Sequence, residues 1–87
     1  MEFQREKLQE FLVFFEKSKP KILSFEGCEH VELFRDESDP TVQYTLSHWQ
    51  SSKALDAYRN SGFFRETWSY TKSLFRDKAK AFSLVKN

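Results

Sequence analysis

The sequence predicts an α+β domain in which a single antiparallel β-sheet carries its helices on one face. Two segments, 28–35 and 41–49, alternate as strands do, and the turn-forming residues between them predict a hairpin. One segment before this hairpin and two after it space their apolar residues as helices do, and a last strand is expected at 81–85. This order of elements favours one antiparallel sheet with the helices packed on the same side.

The first helix is predicted over residues 5–24, where apolar residues recur along one stripe. Pro20 has no amide hydrogen and its ring clashes with the carbonyl four residues earlier, so we expect the helix to kink or restart near Ser18. Gly27 then ends the segment, because glycine readily adopts a positive φ before the next strand. The apolar stripe consists of Leu8, Phe11, Leu12, Phe15, Ile22 and Leu23.

Each strand of the hairpin presents two different faces. Cys28, His30 and Glu32 alternate onto one face of the first strand, spaced about 6.6–7 Å apart along the chain. In the second strand either face suits burial, and the register that would set His30 opposite His48 is not determined by the sequence. The two faces of that strand are Val42, Tyr44, Leu46 and His48 on one side, and Gln43, Thr45, Ser47 and Trp49 on the other.

Two helices follow the second strand. A hydroxyl of Ser51 or Ser52 is expected to cap the first of them, which runs to about Arg59. The break at 60–62 caps the next helix, which has an apolar side and a charged side, and a turn at 77–80 precedes the last strand. The apolar side consists of Phe63, Phe64, Thr67, Trp68, Tyr70, Thr71, Leu74 and Phe75.

The composition indicates one small domain, residues 1–87, with an excess of aromatic side chains. Ten Phe, three Tyr and two Trp make up 17% of the 87 residues. A chain this short has a small core, so this much bulky apolar surface favours a subunit interface, a ligand pocket, or both. The net charge of +1 is dispersed, which argues against a nucleic-acid partner and a polybasic membrane anchor.

The cellular compartment is predicted from two features. The sequence contains no run of 18 apolar residues and no leader of the secretory kind. Its single cysteine, Cys28, has no partner for an internal disulfide. Both features suit a protein of the reducing cytoplasm.

The segment HWQSSKALDAYRNSGFF, at 48–64, resembles the W-[E/Q]-S-x-x-A-L-x-x-Y-x-x-S-x-x-F segment of the antibiotic-biosynthesis monooxygenase-like domains, members of the dimeric α+β barrel superfamily. The resemblance implies a ferredoxin-like βαββαβ subunit and a homodimer whose sheets pack face to face into a barrel. Residues 1–4 are too few for a full first strand, so we expect that strand to be short or missing. Further similar positions are Ser24–Cys28, Leu33–Asp36, Trp68, Lys72, Leu74–Phe75 and 81–85.

The resemblance also implies a substrate cleft between the sheet and the helices. Cofactor-independent members oxidise electron-rich aromatics such as quinols, where the substrate anion itself passes electrons to dioxygen. On this basis His48 is the expected base and Tyr58 a second catalytic residue, and neither a cofactor nor a metal is expected. The expected substrate-binding residues are Tyr44, Trp49, Phe64 and Trp68.

The chain departs from the family at positions that carry the relatives' chemistry. Haem-degrading relatives use an Asn of the first strand, a Trp where this chain has Tyr58, and a His where it has Trp68. Several quinol-oxidising relatives have His at the positions of Tyr58 and Phe63. The base expected here is therefore His48, and the substrate is left open.

Three other chemistries find less support in the sequence. Cys28 followed by His30 resembles a nucleophile with its base, but nothing predicts an oxyanion site beside it. The same residues with His48 lack the paired spacing of a metal motif, and the basic, glycine-containing aromatic motif of RNA-binding sheets is absent. Two hypotheses follow: a cofactor-independent monooxygenase acting on a small aromatic or quinol-like compound, or a non-catalytic dimeric module that binds a small ligand or a protein.

Overall fold

The computed structural model describes residues 1–76 and confirms the α+β class. The predicted turn at 77–80 and the predicted strand at 81–85 lie outside the described residues. No helix within residues 1–76 combines the length and the apolar composition that crossing a bilayer requires. After a 3₁₀-helix at Arg5–Lys7, the elements are α1 (Leu8–Leu23), β1 (Cys28–Arg35), β2 (Gln43–Trp49), α2 (Ser52–Arg59) and α3 (Gly62–Ser73).

Strands β1 and β2 form the predicted antiparallel hairpin. Its inner face, which packs against the helices, pairs Val31 with Ser47 and Leu33 with Thr45. The second strand therefore turns its odd-numbered residues inward, which the sequence pattern left open. The outer face carries the pairs His30–His48, Glu32–Leu46 and Phe34–Tyr44.

Residues 1–4 form the short first strand that the sequence predicts, and they lie at the centre of the sheet. The amide of Phe3 donates to the carbonyl of Thr41 over 2.8 Å, two residues before β2. On the other side, the amide of Gln4 donates to the carbonyl of Leu74 over 3.0 Å, and the amide of Arg76 donates to Glu2 over 2.9 Å. A stub of this length thus satisfies backbone groups on both of its edges.

The core lies between α1 and the inner face of the sheet. Phe3 is 0% exposed, and its ring stacks on that of Phe11 with centroids 4.1 Å apart. Phe11 and Phe15 follow each other at helical spacing and bury the same side of α1. The buried apolar residues are Phe3, Phe11, Phe15, Ile22, Val31 and Leu74.

Helix α1 is a single element, so the expectation of a restart near Ser18 is wrong. Pro20 is part of the continuous helix that ends at Leu23. Only one intrahelical hydrogen bond is lost at a proline, and this proline lies in the last turn, where few bonds remain to be broken. The hydroxyl of Ser18 donates to the carbonyl of Phe14 over 2.9 Å, and the amide of Ser24 donates to the carbonyl of Pro20 over 3.1 Å.

Both later helices begin at a serine cap. The hydroxyl of Ser51, not that of Ser52, accepts a hydrogen bond of 3.1 Å from the amide of Ala54 at the start of α2. The hydroxyl of Ser61 accepts one of 3.1 Å from the amide of Phe64 at the start of α3. These caps use amide groups that a first helical turn leaves without a partner, and they determine where each helix begins.

Candidate functional site

A cleft of about 280 Å³ lies between the helices and the inner face of the sheet. Its walls come from α1, both strands, α2 and α3, so the hairpin and the helices together position its side chains. The lining residues are Met1, Phe11, Phe15, Ile22, Val31, Thr45, Ser47, Trp49, Leu55, Tyr58, Arg59, Phe64, Thr67, Trp68 and Thr71.

Four aromatic rings form a continuous wall of this cleft. The ring of Tyr58 stacks on that of Trp49 with centroids 5.0 Å apart, and it meets the ring of Phe64 edge-on at 5.1 Å. The rings of Phe64 and Trp68 are nearly parallel, with centroids 6.4 Å apart. Such a row of rings offers a planar aromatic compound both stacked and edge-on contacts.

The polar groups of the cleft are hydroxyls from β2 and α3. The hydroxyl of Ser47 accepts a hydrogen bond of 3.0 Å from the indole nitrogen of Trp49. The hydroxyl of Thr71 donates to the carbonyl of Thr67 over 2.8 Å. Arg59 is the charged side chain among the described lining residues. The site is thus mainly apolar, with a few hydroxyls and, among the described side chains, one cation.

Tyr58 is a hydrogen-bond donor at neutral pH. Burial raises the pKa of its hydroxyl above the usual 10.0, and the negative charge of a Cys28 thiolate beside it raises it further. The phenol therefore keeps its proton at neutral pH and is able to donate a hydrogen bond to the oxygen of a ligand. Tyr58 is expected from the sequence to be catalytic, and it does lie in the cleft. Because its phenol is protonated, it does not act there as a base.

The structure brings together four of the six predicted site residues: Trp49, Tyr58, Phe64 and Trp68 all line the cleft. The other two do not. Tyr44 and His48 lie on the outer face of the sheet, where Tyr44 is 53% exposed. Their placement in the cleft is wrong because side chains alternate along a strand, and Trp49 points inward, so its neighbour His48 points outward.

The predicted line of Cys28, His30 and Glu32 on one face is also wrong. The register shifts between Cys28 and His30, and Cys28 packs against the core instead. On the outer face, Nε2 of His30 lies 2.7 Å from a carboxylate oxygen of Glu32, and the rings of His30 and His48 meet edge-on at 5.8 Å. Within residues 1–76 no group of three or more His, Cys, Asp or Glu side chains is arranged to hold a metal ion.

The arrangement of a hairpin, helices on one face and a cleft between them is that of a known family. The family model described as antibiotic biosynthesis monooxygenase matches residues 1–68 of this chain. The chain belongs to this family. The match includes the whole aromatic wall of the cleft, from Trp49 to Trp68.

Two solved structures show that the family's ferredoxin-like fold is kept at low sequence identity. The crystal structure of a conserved protein from Methanosarcina mazei Go1 has a TM-score of 0.81 at 22% identity, covering 87% of this chain and 75% of that chain. The crystal structure of an antibiotic biosynthesis monooxygenase has a TM-score of 0.74 at 19% identity, covering 87% and 80%. No curated protein matches the sequence significantly. Similarity this distant shows the fold, so activity has to be argued from the cleft.

In this member of the antibiotic biosynthesis monooxygenase family, sequence reasoning missed the polar lining. Thr45 and Ser47 share the face of Trp49, so assigning Trp49 to the cleft would have placed them there. Arg59 directly follows Tyr58 at the end of α2, and its position beside a predicted site residue was the available signal. Thr67 and Thr71 were assigned to the apolar side of α3 but not to the site.

Proposed function

We propose that this protein is a cofactor-independent monooxygenase that oxidises a small aromatic or quinol-like compound bound in the cleft. The observation that carries the proposal is the continuous aromatic wall from Trp49 to Trp68 beside a volume of about 280 Å³. That volume is close to the lower end of the range of about 300–1,000 Å³ that is common for small-molecule sites. A compound of one or a few fused rings suits it.

The residues of the cleft bind and shield the compound, and the compound supplies the electrons. The rings of Trp49 and Trp68 stack against its plane, and the phenol of Tyr58 donates a hydrogen bond to one of its oxygens. The apolar walls exclude water from the reacting centre. A quinol and dioxygen then give a hydroxyquinone and water: one oxygen atom bonds to a ring carbon, and the other leaves as water with the two displaced hydrogens.

We also propose a homodimer, with a second copy packed on the outer face of the sheet, in the cytoplasm. Phe34, Tyr44 and Leu46 are 46%, 53% and 47% exposed, and they are neighbours on the two paired strands. Three large apolar side chains together on one face support a subunit interface. A two-fold axis through this patch would set two copies of it against each other.

The proposal is tested by aerobic incubation with a panel of benzene and naphthalene quinols. Oxygen uptake and incorporation of label from ¹⁸O₂ into the product measure turnover. Trp68→Ala, which removes one aromatic wall, is expected to lower kcat/KM about tenfold. His48→Ala is the matched control, because His48 lies on the outer face, and it is expected to keep turnover. Loss of turnover in His48→Ala, with Trp68→Ala unaffected, would contradict the assignment of this cleft.

The second hypothesis, a non-catalytic ligand-binding module, is favoured by one observation. Among the described lining residues there is neither a carboxylate nor an imidazole to take a proton from a bound quinol. Binding of the quinols by calorimetry without oxygen uptake above the uncatalysed rate would support this second function and contradict the first.

A further inference from the structure

We infer that the cleft takes an aromatic anion and that Arg59 binds its negatively charged group. This inference rests on the proposed binding of an aromatic compound in the cleft and adds its charge class. It assigns to Arg59 the role of a specificity-determining residue, next to the aromatic wall that binds the ring system.

The first observation is the charge of the lining. Arg59 is the last residue of α2, directly after Tyr58, and it lines the cleft together with that ring. The other described lining side chains are apolar, aromatic or hydroxyl-bearing, and none is a carboxylate. Arg59 is an exposed residue, so water and salt partly screen its charge, but it still sets a positive potential where it borders the cleft. The cleft therefore favours a negative ligand over a neutral one.

The second observation is that the guanidinium of Arg59 makes no ion pair with any residue of 1–76. Within residues 1–76 the ion pairs are Lys7–Glu10, His30–Glu32 and Arg76–Glu2, and none involves Arg59. A guanidinium has five N–H donors in a planar fork, which match the two oxygens of a carboxylate.

The third observation is the lack of a base in the described lining. A neutral quinol has to lose a proton before it passes an electron to dioxygen, and no lining carboxylate or imidazole takes that proton. A compound that enters with this hydroxyl already ionised needs no such group. The protonated phenol of Tyr58 then serves the same ligand, since it donates a hydrogen bond to a charged oxygen.

These three observations agree on one class of ligand: a fused or single aromatic ring that carries a carboxylate or an ionised hydroxyl. The ring lies against the wall of Trp49, Phe64 and Trp68, and the oxyanion lies toward Arg59 and Tyr58. The aromatic wall gives affinity for the ring system, and the arginine discriminates between charged and neutral compounds with the same rings.

The test is a calorimetric comparison of 2-naphthoate with 2-naphthamide. The two probes share their ring system and nearly their shape but differ in charge, and neither is a quinol, so binding is measured apart from turnover. At low ionic strength the wild-type protein is expected to bind 2-naphthoate roughly 10- to 100-fold more tightly than 2-naphthamide. Added salt should reduce this preference.

Three variants assign the preference to one residue. Arg59→Gln is expected to bind both probes with similar affinity, and Arg59→Lys is expected to keep part of the preference. Arg65→Gln is the matched control, because Arg65 is exposed on α3, donates to the carbonyl of Asn60 and does not line the cleft. It should keep the full preference. Thermal unfolding of each variant verifies that it is folded.

The outcomes separate this inference from the proposed function. Equal affinity for the two probes in the wild type, or a preference that persists in Arg59→Gln, overturns the inference and leaves an aromatic-binding cleft in place. If neither probe binds, both the inference and the proposed aromatic site are overturned. A preference that disappears in Arg59→Gln and returns in part in Arg59→Lys supports the inference.

Discussion

At the scale of single residues, Tyr58 connects the core to the cleft. Its ring contacts those of Phe25, Trp49 and Phe64 with centroids 4.9, 5.0 and 5.1 Å away. Its hydroxyl makes no hydrogen bond to another described residue and remains available to a ligand. Tyr58, which the sequence analysis expected to be catalytic, thus contributes ring packing and an available hydroxyl.

Tyr58→Phe is expected to change stability at alkaline pH. Burial raises the pKa of Tyr58 in the folded state above 10.0, so below pH 10 its contribution to stability is fully present. As the pH rises beyond 10, Tyr58 ionises in the unfolded chain at a lower pH than in the folded protein. The free energy of unfolding therefore falls over this range. The variant should therefore show a shallower decline of Tm between pH 10 and 11.5 than the wild type. An identical decline in both proteins would show that Tyr58 is not the group responsible.

Gly27→Ala is expected to destabilise the fold strongly. Gly27 has φ 85°, and a Cβ added there would lie 2.5 Å from the Cβ of Ala54 in α2. The left-handed conformation alone costs a residue with a Cβ about 1–2 kcal/mol, and the overlap adds to this cost. Urea unfolding measures the loss.

Gly62→Ala is the matched control for that substitution. Gly62 is the first residue of α3, and no atom lies within 4 Å of an added Cβ. Alanine in place of glycine at a helix position stabilises by up to about 1 kcal/mol. Equal destabilisation by both substitutions would contradict the proposed contact between Gly27 and α2.

At the scale of elements, residues 1–4 contribute much to the sheet and the core for a segment of this length. They form hydrogen bonds both with the start of β2 and with residues 74–76, and they place Phe3 in the centre of the core. The family resemblance predicted a short strand here, but four residues carry too little pattern to show that it would be buried on both sides.

Phe3→Ala is expected to cost about 3–5 kcal/mol of unfolding free energy, because it leaves a cavity beside Phe11. Val13→Ala, on the exposed side of α1 where Val13 is 46% exposed, is expected to cost under about 1 kcal/mol. Urea unfolding at one protein concentration compares the two. Similar losses for both would mean that the short first strand contributes little to the core.

At the scale of the whole molecule, the two faces of the hairpin have different surroundings. The inner face is covered by helices and forms the cleft, while the outer face exposes Phe34, Tyr44 and Leu46. The proposed dimer uses the outer face, so dimerisation and ligand binding involve opposite sides of the same two strands.

Leu46→Asp is expected to convert the proposed dimer into a monomer. The substitution places a charge within the apolar patch, where burial against a second copy would leave it without a partner. Sedimentation velocity at micromolar concentration measures the change in mass. Val13→Asp, an equally exposed apolar position on α1, is the control and should leave the mass unchanged. A wild-type protein that sediments as a monomer would contradict the proposed assembly.

Most of the fold was predictable because its signals are local. The bounds of β1 at Cys28 and Arg35 agree with the predicted strand, and the caps of α2 and α3 follow from serine residues that precede apolar spacing. Four of the six predicted site residues line the cleft. They were predictable because the helical spacing and the aromatic character of the segment 49–68 are local signals as well.

By itself, the sequence determined the order of helices and strands within residues 1–76, the family and the aromatic wall of the cleft. Only the tertiary structure decided which face of β2 is buried, because alternation with a period of two is the same pattern for either face. Packing of α1 and Phe3 breaks that symmetry; it turns Thr45, Ser47 and Trp49 inward and leaves His48 outside. The bulge after Cys28 acts in the same way, since one extra residue exchanges the two faces of a strand and separates Cys28 from His30.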